Sequence, residues 1–175
     1  MIGYRATGKT SLAGKLGEKL GSTAMDTDVV IEQQAGMSIA DIFAVHGEEY
    51  FRGLESEVLG ELLKRETVHV FATGGGVPLR ENNRNLLKKA GFVVWLKASP
   101  ETIHRRMATD PQNAATRPSL TTLSPMDEIV RLLDRRTPVY RETANVDVDT
   151  DTRPLDDLAD EIYYLYSNRI NAKES

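Results

Sequence analysis

Short apolar runs alternate along the chain with longer stretches in which large apolar residues recur every three or four positions. That rhythm predicts the strands of a parallel sheet covered by helices. Val68–Ala72 and residues 92–96 read as strands, with a weaker alternating run at Val146–Asp149 and a short candidate at 22–25. Lys9–Leu20 carries Leu12, Leu16 and Leu20 on one face and stops at Gly21, a residue suited to the left-handed position after a helix. Ser38-Ile39-Ala40-Asp41 has capping-box spacing and opens a short helix ending near Gly47. Residues 48–65 place Phe51, Leu54, Val58 and Leu62 along one stripe, which predicts a helix lying on the sheet. Ser99-Pro100 and Ser124-Pro125 each read as an N-cap followed by proline at the first helical position, and a last helix is predicted over 155–170. The helix from Ser124 is expected to end at Arg135-Arg136, before Pro138.

Residues 109–124 break the rhythm. They hold few large apolar residues beyond Leu120 and Leu123, and they carry Arg117-Pro118 among small polar side chains. A polar stretch of that length in a small domain reads as a mobile lid. Residues 171–175 read as a flexible tail. With 175 residues, 40% of them hydrophobic, the chain is expected to form a single domain over its whole length. Its 22 Lys and Arg against 26 Asp and Glu argue against a broad nucleic-acid-binding face. It has no cysteine, so thiolate metal sites and disulfides are excluded. No run is long enough to span a membrane, and the start carries no secretory apolar stretch, so a cytoplasmic location without membrane partners is expected.

Gly3-Tyr4-Arg5-Ala6-Thr7-Gly8-Lys9-Thr10 matches the phosphate-binding pattern G-x-x-x-x-G-K-[ST]. Its glycines let backbone N–H groups turn inward at phosphate oxygens, and the following helix adds its positive end. Lys9 can reach the outer phosphates and the Thr10 hydroxyl can ligate Mg²⁺. Only Met1 and Ile2 precede Gly3, so the strand that should feed this loop is either very short or begins in residues outside the sequence. Asp26-Thr27-Asp28 offers two carboxylates on one side of a strand end, one for a metal and one for a substrate hydroxyl; the alternative is that Asp28 caps the helix beginning at Val29. Arg52 and Glu55 are helix neighbours that in isolation would read as an exposed ion pair. Gly74-Gly75-Gly76 follows a strand at the end where open α/β sheets bind ligands, and three glycines there suit close approach of a substrate to bare backbone. Arg135-Arg136 could serve a ligand or merely the helix dipole. The three histidines have no ligand spacing.

Taken together and in order, these motifs, with Phe51-Arg52, Arg117-Pro118, and Arg136 with Pro138 and Tyr140, resemble the shikimate kinases from Gly3 to about the final helix. The resemblance implies a five-stranded parallel sheet flanked by helices, like that of P-loop nucleoside monophosphate kinases, with a closing lid. It implies transfer of the γ-phosphoryl of ATP to the 3-hydroxyl of shikimate, on the way to chorismate and aromatic amino acids. By position, Gly3, Ala6, Thr7, Gly8, Lys9, Thr10 and Ser11 would bind ATP, with Arg106 and Arg153 both loosely matched toward the base and Arg117 arriving on the lid. Thr10 and Asp26 would hold Mg²⁺, the latter through water, and Lys9, Asp28 and Arg117 would be catalytic, Asp28 as base. Arg52 and Arg136 would grip the shikimate carboxylate, Glu55 would orient Arg52, and Gly74, Gly75 and Gly76 would line the site. A monomer acting on small molecules is expected. A related gluconate or nucleotide kinase, or a nucleotide-dependent switch without turnover, are the competing readings.

Overall fold

The computed structural model describes residues 1–65, 68–109 and 124–174. Helix ends fall where the capping residues stand. Helix α1 (Lys9–Leu20) closes on Gly21 at φ 59°, where the Gly21 and Ser22 N–H groups return to the Glu18 and Gly17 carbonyls. Strand β1 (Thr23–Asp26) runs directly into α2 (Thr27–Ala35). Ser38 caps α3 (Ile39–Leu62) by accepting the Asp41 N–H at 3.1 Å. The two helices expected on either side of Gly47 are both present, joined across a kink in which Gly47 stands at φ 82° and ψ 174°. There follow β2 (Val68–Ala72), a single 3-10 turn at Val77–Leu79, α4 (Glu81–Ala90), β3 (Val94–Lys97) and α5 (Pro100–Thr109). The described chain ends with α6 (Pro125–Thr143), β4 (Val146–Asp149) and α7 (Leu155–Glu174).

The strands pair in parallel, β1 with β2 and β3 with β4. Among the described residues there are two strand pairs, with Met1 and Ile2 between them. The Thr73 N–H donates to the Met1 carbonyl (3.1 Å), the Ile2 N–H to Val94 (2.9 Å) and the Leu96 N–H to Ile2 (2.9 Å). Ile2 thus forms one parallel bridge, to Trp95. No longer ladder is possible in this direction, because Gly3 at φ 141° turns the backbone out of the extended path.

Both faces of the strands are covered. On one, Leu12 and Leu16 of α1 and Leu158 and Ile162 of α7 pack on Val70, Val94, Leu96 and Val148. On the other, Ile2 and Trp95 meet Leu59, Leu87 and Tyr140 from α3, α4 and α6. Strand alternation produces this split: Val94 and Leu96 face one layer and Trp95 the opposite one. Phe51, Val58 and Leu62 join Val30 and Ile31 in a further cluster that presses on Met25 and Phe71, as the stripe predicts.

Three boundaries depart from expectation. The strand predicted at 92–96 begins at Val94 and runs to Lys97. Helix α6 does not stop at Arg136 but continues through Pro138 to Thr143, because Tyr140 is fully buried and anchors the following turn in the core. The predicted tail continues α7 to Glu174, since Asn171-Ala172-Lys173-Glu174 contains neither glycine nor proline to end it. Of the predicted lid at 109–124, Thr109 closes α5 and Ser124 caps α6; residues 110–123, including Arg117, Pro118, Leu120 and Leu123, lie outside the described residues.

Candidate active site

The loop between Ile2 and α1 is wound around one carbonyl. The Thr7 hydroxyl donates to the Tyr4 oxygen at 2.8 Å, and Lys9 Nζ donates to the same oxygen at 2.7 Å. Gly3 permits this winding by its close approach to the strand: a Cβ there would sit 2.5 Å from the Leu96 carbonyl oxygen. Ala6, at φ 60°, holds a left-handed conformation without being glycine. The first turn of α1 therefore opens N–H groups onto a cleft of about 760 Å³, and Ala6, Thr7, Gly8, Lys9, Thr10 and Ser11 all line it. Gly3 is buried beneath the loop.

Asp26 and Asp28 line the same cleft. The Thr10 hydroxyl donates to Asp26 Oδ2, while Asp26 Oδ1 accepts the Asp28 N–H at 2.9 Å. Asp26 is therefore the cap of α2, and the capping role considered for Asp28 belongs to its neighbour two residues earlier. Asp28 sits in the first helical turn, where the positive end of α2 favours its charge. Thr27, fully buried between them, accepts the Gly74 N–H at 3.0 Å and so ties the carboxylates to the glycine loop.

The glycine loop is where Arg52 and Arg136 converge. Arg52, on α3, is 7% exposed; its Nη1 meets Glu55 at 2.5 Å and its Nη2 meets Glu48 at 3.0 Å. The pair with Glu55 is not the exposed contact its spacing alone suggests, since Glu55 is 1% exposed. Burial works against the Arg52 charge, but the Glu55 and Glu48 carboxylates outweigh it and hold the guanidinium pKa above its ordinary value. A Cβ on Gly76 would stand 2.0 Å from Arg52 Nη1, so glycine at 76 makes the space the guanidinium occupies. Arg136, on α6, is also 7% exposed and approaches Gly75, where a Cβ would lie 3.6 Å from Nη1. Because α6 continues to Thr143, Arg136 lies outside its last turn, and the helix dipole does not account for it. No carboxylate among the described residues stands within ion-pairing distance of Arg136. Its guanidinium instead lies over the Tyr4 ring, 5.4 Å from the centroid. The Tyr140 hydroxyl fixes the loop from below by donating to the Gly75 carbonyl at 2.6 Å.

Of the glycine loop only Gly75 lines the cleft, which Arg52 and Arg136 do not; Arg106 does, and it donates to the Ala6 carbonyl (3.3 Å) and to the Thr150 hydroxyl (3.1 Å), joining the loop before α1 to the turn after β4. Arg153 also lines the cleft and pairs with Glu161 of α7. Arg117 falls outside the described residues. Glu48, Thr27 and Thr150 take part in the site without a role in any of the sequence motifs. Glu48 was open to discovery as a carboxylate four residues before Arg52. The other two are threonines whose partners come from distant segments, and no local pattern marks them.

The shikimate kinase family model matches residues 5–166. A shikimate kinase of Rhodopirellula baltica is 43% identical over 162 residues, which cover 93% of this chain and 86% of that one. One from Symbiobacterium thermophilum is 41% identical, covering 93% and 91%. The solved shikimate kinase from Acinetobacter baumannii in complex with shikimate superposes with a TM-score of 0.89 at 36% identity, covering 96% of this chain and 91% of that one. A gluconokinase from Sinorhizobium meliloti, at 16% identity and a TM-score of 0.54, shares the fold alone. The chain belongs to the shikimate kinase family.

Proposed function

We propose that this chain transfers the γ-phosphoryl of ATP to the 3-hydroxyl of shikimate, releasing shikimate 3-phosphate and ADP, and that Arg136 and Arg52 hold the acceptor's carboxylate. The observation that carries the acceptor half is Arg136: a buried guanidinium with no carboxylate of the described residues in pairing distance, facing a glycine loop beside a phosphate-binding cleft. A buried cation is costly until an anion meets it, and a small carboxylate acceptor supplies that anion. Arg52 supports the same end of the acceptor from its Glu48 and Glu55 anchorage, while Gly74, Gly75 and Gly76 line the site, Gly76 by making room for Arg52.

At the donor end, Lys9 exchanges the Tyr4 carbonyl for the outer phosphates, and the loop N–H groups take the remaining phosphate oxygens. Asp28 accepts the proton of the attacking hydroxyl as the new O–P bond forms, and the bond from the γ-phosphorus to the β–γ bridging oxygen breaks. The Thr10 hydroxyl and the Asp26 carboxylate are oxygen donors side by side in the cleft. This small set fits Mg²⁺, which takes one or two protein oxygens and otherwise keeps phosphates and waters. Mg²⁺ bound there would neutralise phosphate charge. Arg117 brings a further positive charge to the transferring phosphoryl from a closing lid, and Arg106 and Arg153 flank the base. The hydrogen bonds of Met1 and Ile2 support a single five-stranded sheet made of the two strand pairs and this short segment. No helix of the described residues is long and apolar enough to cross a membrane; we further assign a monomer working in the cytoplasm.

ADP release with Mg²⁺ and ATP, measured across a panel of acceptors, tests the reading. Rapid release only with shikimate, with the product identified by ³¹P resonance as a phosphate monoester, is expected. Slow release indifferent to shikimate would mean a nucleotide switch instead, and preference for gluconate or a nucleotide would mean another kinase of the same fold.

A further inference from the structure

Tyr4 belongs to both halves of the site. Its carbonyl oxygen carries Lys9 and Thr7, and its ring, 1% exposed, lies beneath the Arg136 guanidinium at 5.4 Å. On the same ring, Arg5 stands 5.8 Å from the centroid and pairs with Glu128 of α6 at 3.1 Å. Arg136 has no such carboxylate among the described residues and keeps only the aromatic face, whereas Arg52, 5.4 Å from the Phe51 ring centroid, has Glu55 and Glu48 as well. The difference matters chemically. A carboxylate partner competes with an incoming anion for the guanidinium, whereas a ring face fixes its plane and leaves the N–H edge and the charge for a ligand. Burial holds the Tyr4 phenol above its ordinary pKa, against the opposing pull of Arg5 and Arg136, so the ring stays neutral under its cation.

We propose that Tyr4, inside the phosphate-binding loop, is a positioning residue for the acceptor: its ring is the seat that aims Arg136 past Gly75 at the substrate carboxylate. This rests on the reading of Arg136 as a carboxylate ligand. It also means that a residue of the nucleotide loop sets affinity for the second substrate.

The test is steady-state kinetics on Tyr4→Phe, Tyr4→Leu and a series with increasingly fluorinated phenylalanines at position 4, beside Arg136→Ala. Tyr4→Phe keeps the ring and is expected to retain the shikimate KM. Tyr4→Leu should raise that KM about three- to tenfold and leave the ATP KM within about twofold, because the backbone carbonyl that holds Lys9 remains. In the Arg136→Ala background, Tyr4→Leu should add nothing further to the shikimate KM. Fluorination withdraws charge from the ring face with little change in size, so the shikimate KM should climb with each fluorine; this series stands even if Tyr4→Leu does not fold. A flat fluorination series, equal damage to both KM values, or loss in Tyr4→Phe equal to that in Tyr4→Leu would overturn the seat. Arg136→Ala with an unchanged shikimate KM would instead remove the carboxylate reading on which it rests.

Discussion

Arg52 and Arg136 are buried to the same degree beside consecutive glycines and each lies 5.4 Å from an aromatic ring centroid, but Arg52 is also paired with carboxylates, and their substitution should divide accordingly. Arg136, with only an aromatic face, is poised for a ligand, so Arg136→Ala should raise the shikimate KM by about one to two decades, the worth of one charge-assisted contact, with the ATP KM little changed. Arg52 is also a structural charge. Removing Glu55 would leave it buried with only the half-exposed Glu48, so Glu55→Ala should cost about 3 kcal/mol of stability, measured by urea denaturation. An unchanged midpoint would show that the pair is as weak as a surface one. Asp28→Asn keeps the shape of the cleft while losing the charge needed to polarise a hydroxyl; ATP binding by calorimetry should be near normal and phosphoryl transfer largely gone. Wild-type turnover by that variant would take the base role from Asp28. These residues were legible to different degrees. Lys9, Thr10 and the two aspartates stand in short motifs whose spacing fixes their geometry, whereas the burial of Glu55 and the ring beneath Arg136 depend on segments far apart in the chain.

Helix and loop boundaries explain how these side chains come to face one another. Helix α3 delivers Arg52 because its apolar stripe of Phe51, Val58 and Leu62 is buried against α2 and the strands, which leaves Arg52 directed at Gly76. That stripe and the caps at Ser38 and Ser124 were readable from periodicity and local hydrogen-bonding logic. The end of α6 was not. Proline at 138 signals a stop, but the buried Tyr140 overrides it, and the burial of one residue is a tertiary fact. Three consecutive glycines suggest room for a substrate, and two of them have protein neighbours as well: Gly76 makes room for Arg52, and Gly75 approaches the Gly3 carbonyl and Arg136. Gly76→Ala should therefore displace a guanidinium that Glu48 and Glu55 pin in place, raising the shikimate KM and lowering the melting temperature together. If both stay at wild-type values, the guanidinium has room elsewhere and glycine at 76 has another cause.

Across the whole molecule, the site lies where the strand pairs meet. Ile2, fully buried, bonds to Val94 and Leu96 on one side and packs with Trp95, Leu59 and Tyr140 on the other. Ile2→Ala should cost about 2–5 kcal/mol by opening a cavity there, read as a lower urea midpoint with an unchanged slope. The alternating strand and helix pattern announced the α/β layers, but it could not announce how two residues would bridge two strand pairs, since one bridge has no periodicity. The bridge carries the loop before α1 out from the core, and α3 and α6 bring Arg52 and Arg136 to the glycine loop from separate parts of the chain. The claim that this assembly is built around the carboxylate of its acceptor is tested most directly by comparing shikimate with its methyl ester in the wild type and in Arg136→Ala. The wild type should show a KM for the ester about one to two decades above that for the acid, and Arg136→Ala should treat the two acceptors nearly alike, because the group each change removes is the partner of the other. If the variant discriminates acid from ester as strongly as the wild type does, Arg136 does not hold the carboxylate and the account of the site is wrong.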